Sequence, residues 1–313
     1  MVQTIRLGDF ESVAQDINPL PKISVITPSF DQGAFIENTI RSVLEQNYPA
    51  LEYLMIDGGS TDGSVDIIRK HEPQLAYWVS EADKGPYDAI NKGFAQSNGE
   101  VMAWLNSDDQ YMPGALATVG RIFAKFPEIE WLTSAEPVNM NAQGQPVFVA
   151  HLEGFNREAF FRGHWLLGGV GRGWIQQEST FWRRSLWEKA GGRLDTTYSL
   201  AADYDLWARF WKHAKLYGVR AQLGCFRQHD AQRSRVSADA YQAEALAAFR
   251  KHGGRPYGAL ERQFRRGVCR RLASLARKRR GLMPTLSSLG LVYTTELVVW
   301  DGEAWKIEQS CIS

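Results

Sequence analysis

Cysteine is scarce in this 313-residue chain: Cys225, Cys269 and Cys311 are odd in number, far apart and without CxxC spacing. A disulfide scaffold and a cysteine-rich zinc site are therefore disfavoured, and a reducing cytoplasm is the expected compartment. No uninterrupted apolar run approaches the ~20 residues that a membrane-spanning helix requires. The N-terminal stretch carries Asp9, Glu11 and Asp16 where a secretory signal would be basic and then apolar, so no such signal is expected. GxGxxG is missing after the first strand-like run, which disfavours a dinucleotide-binding Rossmann domain. GxxxxGKS/T is missing too, which removes the P-loop reading. What is present is a 44% apolar, 23% charged composition, with enough apolar surface to offset the entropy of ordering most of the chain.

Charge is balanced overall at +1 but unevenly placed. Residues 250–280 hold twelve Lys or Arg against one acid, Glu261, so this segment is +11 and the remainder −10. An acidic body with a basic arm is the result.

From residue 22 onward, short apolar runs alternate with amphipathic helical stretches. Lys22–Thr27 is β-branched and predicts a buried strand ending at Pro28. Phe35–Gln46 places Ile36, Ile40, Val43 and Leu44 at helical spacing. Strands over Tyr53–Ile56, Leu75–Val79, Val101–Leu105 and Ile129–Thr133 alternate with helices over Asp62–His71, Asp88–Gln96 and Pro113–Phe126. Units of this length imply an α/β domain with a largely parallel sheet, in which ligands bind beyond the carboxyl ends of the strands.

Those ends are the functional question. Thr27-Pro28-Ser29-Phe30-Asp31, Asp57-Gly58-Gly59-Ser60-Thr61-Asp62 and Asn106-Ser107-Asp108-Asp109 follow three of the strands. Each alone reads as turn and cap chemistry. Together, with paired aspartates straight after a buried strand, they favour a site. Adjacent carboxylates at a strand end suit Mg²⁺ or Mn²⁺, which takes one or two carboxylates, waters and substrate phosphate oxygens.

The stretches ISVITPSFDQGAFIENTIRSVLEQNYPALEYLMIDGGSTDGS, SEADKGPYDAINKGFAQSNGEVMAWLNSDD, QQESTFWRRSLWEKAGG and AADYDLWARF follow one another over residues 22–211. In that order and spacing the chain resembles the family-2 glycosyltransferases, nucleotide-sugar enzymes of the GT-A fold. The resemblance implies a Rossmann-like, mostly parallel sheet flanked by helices. It implies that Thr27, Pro28 and Phe30 line the base and ribose pocket and that Asp57 hydrogen-bonds the base or ribose. The family often has a second acid where this chain has Gly58. Asp109 is the expected direct metal ligand, with Asp108 on the ribose or the metal's water shell. Lys84, Asp88 and Asn91 belong to a stretch that faces the donor in the family; for Asp88 the alternative is a helix N-terminal acid. Asp203 is the expected catalytic base, although Ala202 replaces the acid that usually precedes it, and Asp205 is read as a helix-start acid or a partner of Arg209. Arg227 and His229 are candidates for the leaving diphosphate and the metal, and Gln177 and Glu178 for the acceptor pocket.

The basic arm places Leu260, Phe264, Val268, Leu272 and Leu275 at helical spacing between arginines. Such a helix suits an anionic membrane surface; the competing reading packs the stripe on the acidic body and leaves the arginines solvated. Nucleic acid is not an expected partner, because no recognised module or interleaved aromatics accompany the charge. Two β-rich runs around Asp301-Gly302, within Leu291–Gln309, predict a hairpin.

The expectation is therefore an N-terminal extension (1–21), a GT-A domain (22–237) and a C-terminal helical and hairpin extension (238–313). The expected activity is inverting transfer from a nucleotide-diphospho-sugar, with UDP as the nucleotide and Mg²⁺ or Mn²⁺ as cofactor. The acceptor would be a glycan or lipid-linked hydroxyl in surface polysaccharide synthesis, at the cytoplasmic side of the membrane. The rivals are a nucleotidyltransferase, whose basic phosphate loop TPSFDQG lacks, and a catalytically silent glycan-binding protein on the same fold.

Overall fold

The computed structural model describes residues 19–166, 174–230, 232 and 237–313. Most of the expected N-terminal extension lies outside them. The strands are β1 (Ile23–Ser29), β2 (Leu51–Asp57), β3 (Tyr77–Ser80), β4 (Val101–Trp104), β5 (Gln110–Tyr111), β6 (Trp131–Ser134) and β7 (Val138–Met140). They continue with β8 (Pro146–Val149), β9 (Phe181–Arg183), β10 (Leu216–Val219), β11 (Gly224–Arg227), β12 (Tyr293–Trp300) and β13 (Trp305–Ile312).

Nine strands form one sheet in the order β13-β12-β10-β6-β9-β4-β1-β2-β3. β1 pairs in parallel with β2 and β4, β2 with β3, and β10 with β6 and β12. β9 runs antiparallel between β4 and β6, and β13 antiparallel to β12, so the sheet is mostly parallel with one reversed strand at its centre and another at its edge. The alternation legible in β1 divides the core in two. Ile26 belongs to one apolar layer with Leu54, Ile56, Trp104 and Trp207, while Ile23 and Val25 belong to the other with Tyr53, Met55 and Ile36. Successive side chains on opposite faces, each covered by helices, give the three-layer α/β arrangement. Eight of the eleven tryptophans are buried, which makes most of them core rather than sugar-stacking surface.

β1 runs through Pro28, its expected end, to Ser29. Leu105 N–H donates to the Ile26 carbonyl, so Pro28, two residues on, faces the same side, where β4 has already ended at Trp104. The missing proline N–H falls where no strand would receive it. Helix Pro86–Gln96 packs so tightly on β1 that a Cβ at Gly93 would lie 2.5 Å from Ile26 Cγ2.

The second sheet, β5-β11-β7-β8, matters most for the site. Its antiparallel pairing of Cys225 with Gln110 sets the residues just after β11 beside those just before β5. The hairpin β12–β13 forms as expected, with Trp300 and Trp305 packed edge to face at 5.5 Å, and it extends the large sheet through β10. Among the described residues no helix is long and apolar enough to cross a membrane.

Candidate active site

A cavity of about 960 Å³ opens beyond the carboxyl ends of β1, β2 and β4. Its volume falls at the upper end of the range for small-molecule sites.

At one end stand Pro28, Ser29, Phe30, Gly58 and Asp83. Phe30 is 61% exposed, a large ring left uncovered at the mouth. Asp57 lies just behind and is fully engaged: its carboxylate accepts from Gly59 N–H at 3.0 Å, Ser60 N–H at 2.9 Å, Ser60 Oγ at 2.5 Å and Ser80 Oγ at 2.7 Å. It shapes the loop after β2. Thr27 is buried beneath, with Oγ1 3.1 Å from the Tyr53 hydroxyl.

The middle of the cavity is acidic. Asp108 Oδ2 lies 3.0 Å from His229 Nε2, and the His229 ring packs against Phe35 at 4.6 Å. Asp109 sits behind this pair and is almost wholly buried. Its Oδ1 accepts the Arg227 backbone N–H at 2.8 Å and its Oδ2 the Asn106 side-chain N–H at 3.2 Å. Burial, then the nearby Asp108 and Glu178 carboxylates, push Asp109 well above the usual carboxylate range. Arg227 does not reach the cavity. Its guanidinium donates to the carbonyls of Asp108 at 2.6 Å and Ala142 at 2.8 Å and lies over the Phe35 ring, bracing the aspartate loop from behind.

Deeper in, Gln177 and Glu178 line the wall. Gln177 donates to the Trp104 carbonyl at 2.6 Å and accepts from Asn106 at 3.3 Å. Glu178 has an unpartnered buried Oε1; burial, with Asp108 and Asp203 adding, raises it to about 8. Opposite stands Asp203, in the first turn of helix Ala202–Phe210, with Oδ1 buried and unpartnered. Burial lifts it to about 6, and Glu244 adds to that. Its helix entry is held by Glu244, whose carboxylate accepts the N–H groups of Ser199, Leu200 and Ala201 at 2.8–3.1 Å. Trp104, Phe160, Tyr204, Trp207 and Tyr241 complete an aromatic wall.

The structure separates Asp203 from Asp205 cleanly. Asp205 faces away and binds Arg209 at 2.8 Å and His252 at 2.9 Å. Burial would raise it, but those partners and Lys251 bring it down to about 2. Three further candidates lie outside the cavity lining. Asp88 accepts the Lys84 N–H and pairs with Lys92, the helix N-terminal role set out as its alternative. Asn91 exchanges two hydrogen bonds with the Leu194 backbone. Lys84 lies exposed beside the lining residues Asp83 and Gly85.

Sequence reasoning missed Asp83, one residue before Lys84, and the signal for it was the departure at Gly58. It also missed Glu244, whose sequence neighbours carry no motif.

Among the described residues no three His, Cys, Asp or Glu side chains are arranged to hold a metal together. The residues nonetheless fit a hard divalent cation. Asp108 and His229 offer one oxygen and one nitrogen, and such a cation takes its remaining ligands from water and phosphate. The uncompensated carboxylates behind them favour positive charge.

Residues 24–131 match the model of glycosyl transferase family 2. An uncharacterized glycosyltransferase of Mycobacterium tuberculosis is 42% identical over 92 residues, covering 29% of this chain and 35% of the relative. A GalNAc(5)-diNAcBac-PP-undecaprenol beta-1,3-glucosyltransferase of Campylobacter jejuni is 32% identical over 104 residues, 32% of this chain and 34% of the relative. The chain thus matches about a third of the length of these relatives. Among solved structures, S. aureus TarS 1-349 in complex with UDP-GlcNAc aligns with TM-score 0.55 at 14% identity, covering 85% of this chain and 75% of that one. The mannosyltransferase PcManGT from Pyrobaculum calidifontis, in complex with GDP-Man and Mn2+, aligns with TM-score 0.54 at 18% identity, covering 90% and 83%. These likenesses establish an α/β fold of the GT-A type, and residues 24–131, which carry the aspartate loop, are similar to glycosyl transferase family 2.

Proposed function

We propose that the cavity binds a nucleotide-diphospho-sugar and transfers its sugar, with inversion, to a hydroxyl of a glycan or lipid-linked acceptor. One observation carries this reading. Asp203, half-buried with its Oδ1 buried and unpartnered, lines the same cavity as the Asp108–His229 pair.

The base and ribose would lie at the Phe30 end, with UDP as the proposed nucleotide, and the diphosphate against Asp108 and His229. A divalent cation, when bound there, supplies Lewis-acid neutralisation of the leaving diphosphate. Asp108 and His229 would hold it, with Asp109 behind them. This reverses the roles that the resemblance implies for the two aspartates, because Asp108 is the one whose carboxylate meets His229 in the cavity.

Asp203 takes the acceptor hydroxyl proton as that oxygen bonds the anomeric carbon. The bond from that carbon to the diphosphate breaks, and the nucleoside diphosphate leaves with the electron pair. A single carboxylate used as base gives one displacement and hence inversion. A carboxyl at about 6 is ionised at neutral pH yet close enough to it to accept a proton effectively. Glu178, neutral at pH 7, can donate a hydrogen bond to the acceptor. The three cysteines are all free and buried, which supports a reducing compartment.

The test is consumption of UDP-, GDP-, dTDP- and CMP-sugars with Mn²⁺ by wild type, Asp203→Asn and Asp108→Ala. Turnover of one class, lost in both variants, is expected. Equal turnover in Asp203→Asn would overturn the assignment of the base. Metal-independent binding without turnover of any class would point instead to a silent glycan-binding protein.

A further inference from the structure

The C-terminal arm is built inside out relative to its sequence pattern. One helix runs over 259–278, interrupted by a π-helical turn at Arg265–Cys269. The face that packs on the body is made of small or polar residues: Arg265, Cys269, Ala273 and Ala276 are buried. Arg265 lies between the rings of Tyr257 and Tyr293 and donates to the Gly290 carbonyl at 2.9 Å. Ala273 and Ala276 pack with Met283, Val292 and Cys311.

The large apolar residues face the other way. Leu260 is 84% exposed, Phe264 47%, Val268 45% and Leu275 40%. At 100° per residue these four fall on one side of the helix and the buried set on the other. Only Leu272, of the expected stripe, is half-buried. Leu282 and Leu289, on the turns that follow, are exposed as well. The reading in which the stripe covers the acidic body is therefore overturned: the body has its own, smaller contact.

Arginines surround this exposed row. Glu261, Glu153 and Glu308 take up Arg162, Arg265, Arg277 and Arg280. Among the described residues Arg262, Arg270, Arg271, Lys278 and Arg279 make no ion pair, and all but the half-buried Arg262 are exposed.

We propose that this face docks on an anionic lipid bilayer, with Leu260, Phe264, Val268 and Leu275 entering the headgroup–acyl boundary and the flanking cations meeting lipid phosphates. Charge complementarity selects this occupant. The arm is +11 and the rest of the chain −10, so an anionic surface attracts the arm, repels the body and orients the molecule. A second copy would bring two such cationic faces together in a self-complementary contact. A nucleic acid would use the cations and leave the central apolar row buried against phosphate. This inference is independent of the transfer reading.

The experiment is co-sedimentation of the full chain with phosphatidylcholine vesicles, with and without about a third phosphatidylglycerol. Two variants accompany it: Leu260→Ser/Phe264→Ser/Val268→Ser, and Arg270→Glu/Arg271→Glu/Lys278→Glu. All six positions are exposed, so both variants should keep the wild-type Tm. Wild type should bind the anionic vesicles alone, and each variant should bind at least about tenfold more weakly, the wild-type affinity falling with added salt. Equal binding to neutral vesicles, or undiminished binding by the apolar variant, would overturn the proposal. So would a concentration-dependent dimer, or a duplex-DNA gel shift, that the apolar variant loses while vesicle binding by wild type is absent.

Discussion

A Cβ placed on Gly58 would lie 2.9 Å from Asp83 Oδ2. The carboxylate of Asp83, in the loop after β3, thus stands where the side chain after Asp57 would project, and Phe30 Cδ2 would lie 3.2 Å from the same Cβ position. Asp83 offers a carboxylate from a neighbouring loop at the place where the resemblance leads to a second acid being expected at position 58. Gly58→Asp would set two carboxylates against each other at the mouth of the cavity. The displaced atom is the end of a flexible side chain, so folding should change by under about 1 kcal/mol. Nucleotide affinity should fall at least about tenfold and recover in Gly58→Asp/Asp83→Gly. Calorimetric titration with UDP and GDP measures both. No recovery in the double variant would remove the equivalence.

Asp203→Asn should lower kcat by about 10²–10⁴-fold with donor affinity unchanged, the signature of a lost general base. In wild type, kcat/KM should fall on the acid side with a midpoint near 6, because burial has raised this carboxyl and only its ionised form accepts a proton. A pH–rate profile without that limb would argue against the role.

Glu178 makes stability depend on pH in a defined direction. Its ordinary value is 4.5 and burial raises it to about 8, so the native state holds the proton more tightly than the unfolded chain. The stability that this proton supplies is complete below about 4.5 and is lost as pH climbs through about 8. Glu178→Gln should therefore melt above wild type at pH 8.5 in EDTA and close to it at pH 5. Thermal scans at the two pH values check the sign.

Metal dependence should follow the Asp108–His229 pair. A UDP-sugar with Mn²⁺ at ~100 times its dissociation constant adds ~2.7 kcal/mol, a readily measured rise in Tm. EDTA should abolish the rise. His229→Ala should shift the Mn²⁺ requirement upward, and Asp108→Asn should do so more strongly, since it removes the hard oxygen. An unchanged Mn²⁺ titration in both variants would place the cation elsewhere.

The local elements and the chemistry available can be read from the order of residues alone. β-branched runs at period two and helical runs at period 3.6 need only near neighbours, so β1, β2, β4, their helices and the 301–302 hairpin were legible. So were the aspartates at the strand ends, because turn chemistry and carboxylates stand side by side in the chain. Tertiary structure decided everything that depends on distant pairing. β9 is three residues long, too short to announce itself, yet it completes the sheet between β4 and β6. His229 meets Asp108 across 121 positions only because β11 pairs antiparallel with β5. Arg227, two residues earlier, turns behind the wall instead of into the cavity, and local spacing could not tell the two apart. The arm shows the same limit. Its period placed five apolar residues on one face, but the face that packs was chosen by Ala273 and Ala276, small enough to let the helix approach the hairpin closely. Periodicity fixes which residues share a face; only the shape of what lies opposite decides which face is buried.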